Sequence, residues 1–219
     1  SQKTKILRSL HAKKLYKLKK NENIILSTPM YHSISLRLIF LPIILGSKCI
    51  IMEKFTNKNW LNLVEKNKVT FSILVSPQIS SINTMLVRRN IKKISSIKSI
   101  VSCCSPLDSL TKKKFSSKLQ CQFFDTYGAS EVGTMTNLKI NQDNKQNNTL
   151  GKVVPDTKLL FKDQKGKISK NIHGQILCKS KNIFSGYFNN KKEDSTNFYK
   201  DYFITGDIGY LNKNNLLVL

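Results

Sequence analysis

Short apolar runs alternate with longer amphipathic stretches from residue 23 to residue 125, and this rhythm constrains the fold more than any other feature. The runs 23–27, 48–52, 70–75, 97–102 and 121–125 have strand length. The stretches 36–45, 57–66, 78–89 and 108–119 between them repeat their apolar residues at helical spacing. In 78–89, for example, Ile79, Ile82, Met85 and Leu86 share one face. An earlier amphipathic helix is expected over 3–19 from Ile6, Leu7, Leu10, Leu15 and Leu18. Gly46 is a natural C-terminal stop for the helix before it. Strands separated by helices of roughly ten to fifteen residues imply βαβ units. The expected class is therefore α/β, a mostly parallel sheet flanked by helices. After Asn137 the helical period fades. A polar connector over 141–148 leads to strand-like runs at 158–161, 175–179 and 203–211, joined by turns such as Asp163-Gln164-Lys165-Gly166. The expected organisation is an α/β portion over 1–148 and a small β-rich subdomain over 149–219.

Composition narrows the function classes. With 219 residues and 40% hydrophobic content, the chain has the means for a real core and is not a disordered segment. Its longest apolar run, 36–45, is interrupted by Arg37 and Pro42 and reads as a buried helix rather than a membrane span. The basic first twenty residues lack the apolar core of a secretory signal, so a cytoplasmic location is the expectation. The five cysteines form no Cys-x-x-Cys pair and have no histidine at metal-ligand spacing, which implies reduced structural thiols and no zinc site. The net charge of +24 is carried almost wholly by lysine, with Arg8, Arg37, Arg88 and Arg89 as the arginines. Base readout leans on arginine, and the lysines are spread along the chain among abundant asparagine and isoleucine. The charge reads as compositional drift on solvated faces, and no specific nucleic-acid partner is expected.

Certain strings carry chemistry. Asp125-Thr126-Tyr127-Gly128-Ala129-Ser130-Glu131 sets an aromatic ring, a glycine, a hydroxyl and a carboxylate in one turn after a strand. In a parallel sheet, ligands gather at the carboxyl ends of strands. A tyrosine ring can stack on a base, Ser130 can donate to a phosphate, and Glu131 is a hard oxygen ligand suited to Mg²⁺. Taken alone, the string is equally an ordinary strand-to-helix turn with a capping glutamate. Thr205-Gly206-Asp207 sets a carboxylate beside a glycine, where it could accept from a ribose diol or simply occupy a β-turn. Ser102-Cys103-Cys104-Ser105-Pro106-Leu107-Asp108 is a small-residue loop and also a plain helix start. His32 follows a short strand as a lone histidine. No Walker loop, dinucleotide glycine fingerprint or Ser/His/Asp order is present.

Taken jointly, these segments resemble the adenylate-forming superfamily of acyl-CoA synthetases, luciferase-like enzymes and peptide-synthetase adenylation domains. Pro29-Met30-Tyr31-His32 is similar to its Pro-x-(aromatic)-His segment, and 102–107 to its Gly-Ala-Pro-Leu adenine loop. Tyr127-Gly128-Ala129-Ser130-Glu131 resembles Tyr-Gly-x-Thr-Glu. Gly174-Gln175-Ile176 through Gly186-Tyr187-Phe188-Asn189-Asn190 resembles Gly-Glu-Ile…Gly-Tyr-(aromatic)-Asn-Asn, and 202–211 resembles (aromatic)-x-Thr-Gly-Asp-x-Gly-Tyr-Leu. The matches fall in the family's order. The resemblance implies an enzyme that converts a carboxylic acid, fatty or otherwise hydrophobic, to an acyl-adenylate with ATP and Mg²⁺ and then passes the acyl group to coenzyme A.

By the same resemblance Tyr127 stacks on adenine, with Thr126 and Gly128 beside it, and Asp125 accepts from the adenine amino group. Ser130 contacts phosphate, Glu131 holds Mg²⁺ and Asp207 binds the ribose. Cys104, Ser105 and Pro106 line the adenine and acyl pocket, and His32 sits near the acyl entrance. Alternatives are an adenylation domain loading a carrier protein, a non-catalytic remnant, and a basic nucleic-acid-binding module. The sequence departs from the family pattern in placing Cys103 and Cys104 where glycine and alanine are usual, Ser130 for threonine and Gln175 for glutamate. The resemblance also puts the family's phosphate loop before residue 1, with Lys3-Thr4-Lys5 like its end, and the hinge and lysine-bearing C-terminal domain beyond Leu219. The expectation is the central part of a large N-terminal domain, not competent for the whole reaction alone.

Overall fold

The computed structural model describes residues 1–91, 94–140 and 145–219, so part of the expected polar connector, 141–144, lies outside the described residues. The first layer system runs α1 (Gln2–Leu15), β1 (Asn23–Leu26), α2 (Ser33–Leu45), β2 (Lys48–Ile51), α3 (Asn57–Lys66), β3 (Phe71–Val75), α4 (Ser76–Arg88), β4 (Ser99–Cys103) and α5 (Ser109–Leu119). It continues through β5 (Gln122–Ala129), β6 (Gly133–Lys139), a 3₁₀ turn at Lys145–Asn148 and β7 (Lys152–Val153). These strands form one sheet in the order β2-β1-β3-β4-β5-β6-β7. From β2 to β5 neighbouring strands are parallel, and β6 and β7 add antiparallel.

Helix boundaries follow local chemistry. Asp108 accepts from the Thr111 N–H at 2.8 Å and Thr56 from the Asn59 N–H at 3.2 Å, each capping an orphan donor. Gly46 ends α2 at φ +62, the left-handed conformation that only glycine adopts cheaply. The strands alternate their side chains between two cores, as period two requires. Ile24, Leu26, Phe71, Ile73, Val101 and Phe124 pack under α1 and α2, whereas Ile25, Leu74, Ile100 and Phe123 pack against Trp60, Ile79, Ile82 and Phe115 of α3 to α5. The sheet is therefore covered on both faces, which explains why its strands read as nearly continuous apolar runs.

The second sheet contains β8 (Thr157–Lys162), β9 (Ile168–Ser169), β10 (Gly174–Ser180), β11 (Phe198–Tyr199) and β12 (Tyr202–Leu211) in the order β11-β12-β10-β8-β9. All of its pairings are antiparallel, β13 (Leu217–Val218) adds to β12, and α6 (Lys191–Asn197) precedes β11. Its core of Leu159, Phe161, Ile176, Cys178 and Phe203 also takes in Val132 and Met135 from the β5–β6 hairpin. That hairpin is the seam between the two sheets.

One local expectation changes here. The sequence suggests a strand ending at Asp125 and a turn at Tyr127, but β5 runs on to Ala129, and the chain reverses only at residues 130–132. The reason is β6, which the sequence reading does not anticipate. Its backbone supplies the hydrogen bonds that hold 126–129 extended. A register shift between Tyr127 and Gly128 then re-aims the hairpin tip.

Candidate active site

Gly128 is glycine because of its own partner strand. A Cβ there would stand 2.1 Å from the Gly133 carbonyl oxygen, so no side chain fits at this point of the hairpin. The tip is then held from outside by Arg8 of α1, which is buried. Its Nη1 donates to the Ser130 carbonyl at 2.7 Å, its Nη2 to the Glu131 carbonyl at 2.8 Å and its Nε to the Asn182 carbonyl at 2.9 Å. Burial, followed by the charge of Arg37, lowers the Arg8 guanidinium to about 10, and it remains charged at neutral pH. The Phe184 N–H also donates to the Glu131 carbonyl, at 2.6 Å. With the backbone so anchored, the Ser130 and Glu131 side chains are left for other contacts. Ser130 is exposed, and its Oγ lies 3.4 Å from Ser33 Oγ at the start of α2. Glu131 Oε1 accepts from the Tyr187 hydroxyl at 3.1 Å.

Across the seam, the Tyr127 hydroxyl donates to Asp207 Oδ2. Burial first, and this bond second, raise the Tyr127 phenol above its ordinary range, so it stays a donor. Asp207 is exposed on β12. Thr205 Oγ1 accepts from its N–H at 3.2 Å while donating to the Ile176 carbonyl at 3.1 Å. One accepted bond leaves most of the carboxylate's lone pairs open.

A cavity of about 90 Å³ opens between α2, the β4–α5 loop and the hairpin, lined by Ser33, Ile34, Arg37, Cys103, Cys104, Thr134 and the 126–130 stretch. Thr126 Oγ1 donates to the Ser102 carbonyl at 2.9 Å, tying its floor to β4. Cys104 sits at φ +80, a conformation that costs a non-glycine residue about 1–2 kcal/mol. Its Sγ is 3.8 Å from that of Cys103. The hydrogen bond between the two thiols draws Cys104 down to about 7 and, together with burial, pushes Cys103 up. The loop is pinned by Ser76 Oγ, which donates to the Ser105 carbonyl. A larger hollow of about 570 Å³ beside Lys152, Leu159 and Leu211 is lined by none of the candidate residues and by no acid.

Asp125, His32, Ser105 and Pro106, all expected at the site, lie outside the cavity lining. Asp125 does not face the cavity: it is 3% exposed, and its Oδ2 lies 2.7 Å from Nζ of the equally buried Lys112 of α5. Lys112 Nζ also donates to the Asn147 carbonyl at 3.0 Å. This corrects the assignment of Asp125 to the adenine amino group, because its side chain enters the interior on the α5 side. Desolvation still lifts its carboxyl above the usual range despite the lysine. His32 is exposed, beside the Tyr31 ring at a centroid distance of 4.5 Å, and it is its neighbours Ser33 and Ile34 that reach the cavity. Ser105 and Pro106 are exposed at the loop crest outside the lining. No described group of three or more histidine, cysteine, aspartate or glutamate side chains is placed to hold a metal.

The geometry thus joins strings far apart in the chain around one cavity and one exposed rim. The family model described as AMP-binding enzyme matches residues 4–188. The chain belongs to this AMP-binding enzyme family. It is 30% identical over 207 residues to probable 4-coumarate–CoA ligase 3 of Dictyostelium discoideum, covering 90% of this chain and 36% of that protein. It is 23% identical over 210 residues to the long-chain-fatty-acid–CoA ligase of Bacillus subtilis (strain 168), with 90% and 36% covered. The chain therefore spans just over a third of the length of these curated relatives. In fold it matches O-succinylbenzoate coenzyme A synthetase from Bacillus subtilis, solved in complex with ATP and magnesium ion, with a TM-score of 0.86 at 19% identity over 98% of this chain and 44% of that one.

For an AMP-binding chain, the residues that sequence reasoning missed are instructive. Arg37 was visible as the one charge in an apolar helix, and that interruption was its signal. Arg8, Thr134 and Lys112 carried none. Their roles arise from pairings across 97 or more positions for Arg8 and Thr134, and from a buried pair on adjacent layers for Lys112. No described helix is long and apolar enough to cross a membrane.

Proposed function

We propose that the protein serves the activation of a carboxylic acid with ATP, giving an acyl-adenylate and pyrophosphate, followed by transfer of the acyl group to the thiol of coenzyme A. The observation that carries this reading is the Tyr127–Asp207 hydrogen bond, which joins two strings 80 positions apart at the rim of the cavity. Tyr127 offers its ring to adenine, and Asp207 keeps free lone pairs for the ribose hydroxyls. Thr126, Gly128 and Cys104 form the adjoining wall, the crest at Ser105 and Pro106 flanks it, and His32 stands by the entrance. Ser130 donates to the phosphate. Glu131 presents a carboxylate that fits Mg²⁺, a hard cation that takes oxygen ligands and neutralises developing phosphate charge. Its Oε1 is steadied by Tyr187. Asp125 takes no direct part and instead supports β5 through Lys112. The rate gain comes from positioning and charge neutralisation, without a covalent enzyme intermediate. A cytoplasmic location is part of the same proposal, consistent with five unpaired thiols.

The test is carboxylate-dependent ATP–pyrophosphate exchange in the whole protein. Asp207→Ala and Glu131→Ala should each lower exchange by roughly 10²-fold. Full exchange in both variants would overturn the site assignment. Transfer to a carrier protein but not to coenzyme A would move the reading to an adenylation domain.

A further inference from the structure

The cavity wall holds a charge that no acid among the described residues pairs. Arg37 lies on α2, half-buried, with its guanidinium on the lining. Of the five N–H donors an arginine carries, the structure pairs one: Nη1 donates to Thr134 Oγ1 at 3.1 Å. Its Nε is closed off from solvent without a partner. None of the ion pairs of the described residues includes Arg37. The nearest buried carboxylate on this part of the sheet, Asp125, is taken by Lys112 on the opposite face. Arg8 adds a second positive charge close enough for the Arg37 charge to weaken its proton affinity, and Arg8 spends its donors on neutral carbonyls. A guanidinium that lines a cavity with donors to spare favours a ligand that accepts from them.

The volume limits what that ligand can be. The cavity is small, about 90 Å³, and a carboxylate with a few carbons suits it. The nucleotide features, the Tyr127 hydroxyl and Asp207, lie at the rim instead.

We infer that Arg37 is a specificity-determining residue, and that the acid this protein takes carries a second carboxylate which Arg37 binds inside the cavity. This inference rests on the acid-activation reading above and changes one expectation within it, the fatty or otherwise hydrophobic acid. An aliphatic chain in this cavity would leave the Nη donors that Thr134 does not take without an acceptor, whereas a second carboxylate can accept from Nη1 and Nη2 together.

The experiment compares a short dicarboxylate with the monocarboxylate of equal carbon number, using the whole protein as wild type, Arg37→Leu and Arg37→Lys. ATP–pyrophosphate exchange gives kcat/KM for each acid, and the thermal midpoint without nucleotide gives binding. Wild type should prefer the dicarboxylate by about 10- to 100-fold. Arg37→Leu should lose that preference, chiefly through KM, and should raise kcat/KM for the monocarboxylate; Arg37→Lys should restore part of it. The ratio between two acids is a readout that a purely structural role does not move. Exchange that prefers the monocarboxylate, or a ratio indifferent to Arg37→Leu, overturns the inference and leaves acid activation standing. So does an equal loss for both acids together with weaker AMP binding, which would assign Arg37 to phosphate. A midpoint shift by dicarboxylate that needs Arg37, without exchange by any acid, upholds the anion site and overturns acid activation.

Discussion

Asp125 and Asp207 both lie close to Tyr127, one preceding it on β5 and one facing it from β12, and they differ in almost everything except charge. Asp125 is sealed in the interior against Lys112, with the Asn147 carbonyl completing the ammonium's shell. Asp207 stands in solvent and is steadied by one phenol. The same pattern recurs at Glu131, which a second phenol, Tyr187, holds through one oxygen. A carboxylate bound by a buried cation has spent its acceptors on the fold. One held by a neutral hydroxyl is oriented yet still open to a ligand. The charge budget of the seam therefore separates structural acids from those available for binding.

The sharpest break of this comparison is Lys112→Met. Removing one partner of a buried pair leaves an uncompensated charge, with an expected cost of about 3–5 kcal/mol in chemical denaturation. Adding Asp125→Leu should recover most of it. The loss should also depend on pH. Asp125 already titrates above its ordinary value, and without Lys112 it moves further up. A folded-state value above the unfolded one confers stability that is present below the unfolded value and lost as pH rises through the folded one. Lys112→Met should therefore be least harmful below the ordinary carboxylate range and most harmful at neutral pH. A flat pH profile would show that Asp125 is not the group left unpaired.

Arg8→Met should rank next, at about 2–3 kcal/mol, because it strips the charged donor from three carbonyls. Unlike Lys112→Met, it should also weaken AMP binding in a calorimetric titration, since two of those carbonyls belong to Ser130 and Glu131. Equal binding in wild type and variant would mean the hairpin tip keeps its shape unaided. Asp207→Ala should have the smallest effect on folding, within about 0.5 kcal/mol, while AMP affinity falls. A large loss of stability there would erase the distinction drawn between the two aspartates.

The order of strands and helices from β1 to β5 was legible in the sequence because it is written in local periodicity and in caps such as Asp108 and Gly46, which act within a few residues. The rim residues Tyr127, Ser130, Glu131 and Asp207 were legible as strings, because backbone turns and chemistry-bearing side chains are coded side by side. β6 was not. Its residues become a strand by pairing with β5 across the turn at 130–132 and by burying Met135 in the second sheet's core, and that core is not local. Gly128 was expected beside the adenine ring, and the structure shows the Gly133 backbone where a side chain there would stand.

The sequence by itself thus determined the layer architecture and the kinds of groups at the site, since periodicity and residue chemistry are properties of neighbours along the chain. Only the tertiary structure decided which charges are already matched. Lys112 reaches Asp125, Arg8 reaches the hairpin carbonyls, and Arg37 lies on the cavity with Thr134 as its hydrogen-bonded partner. Coulombic and hydrogen-bond pairing depends on distance in space and on exclusion of water. Both arise only when the sheets close on each other.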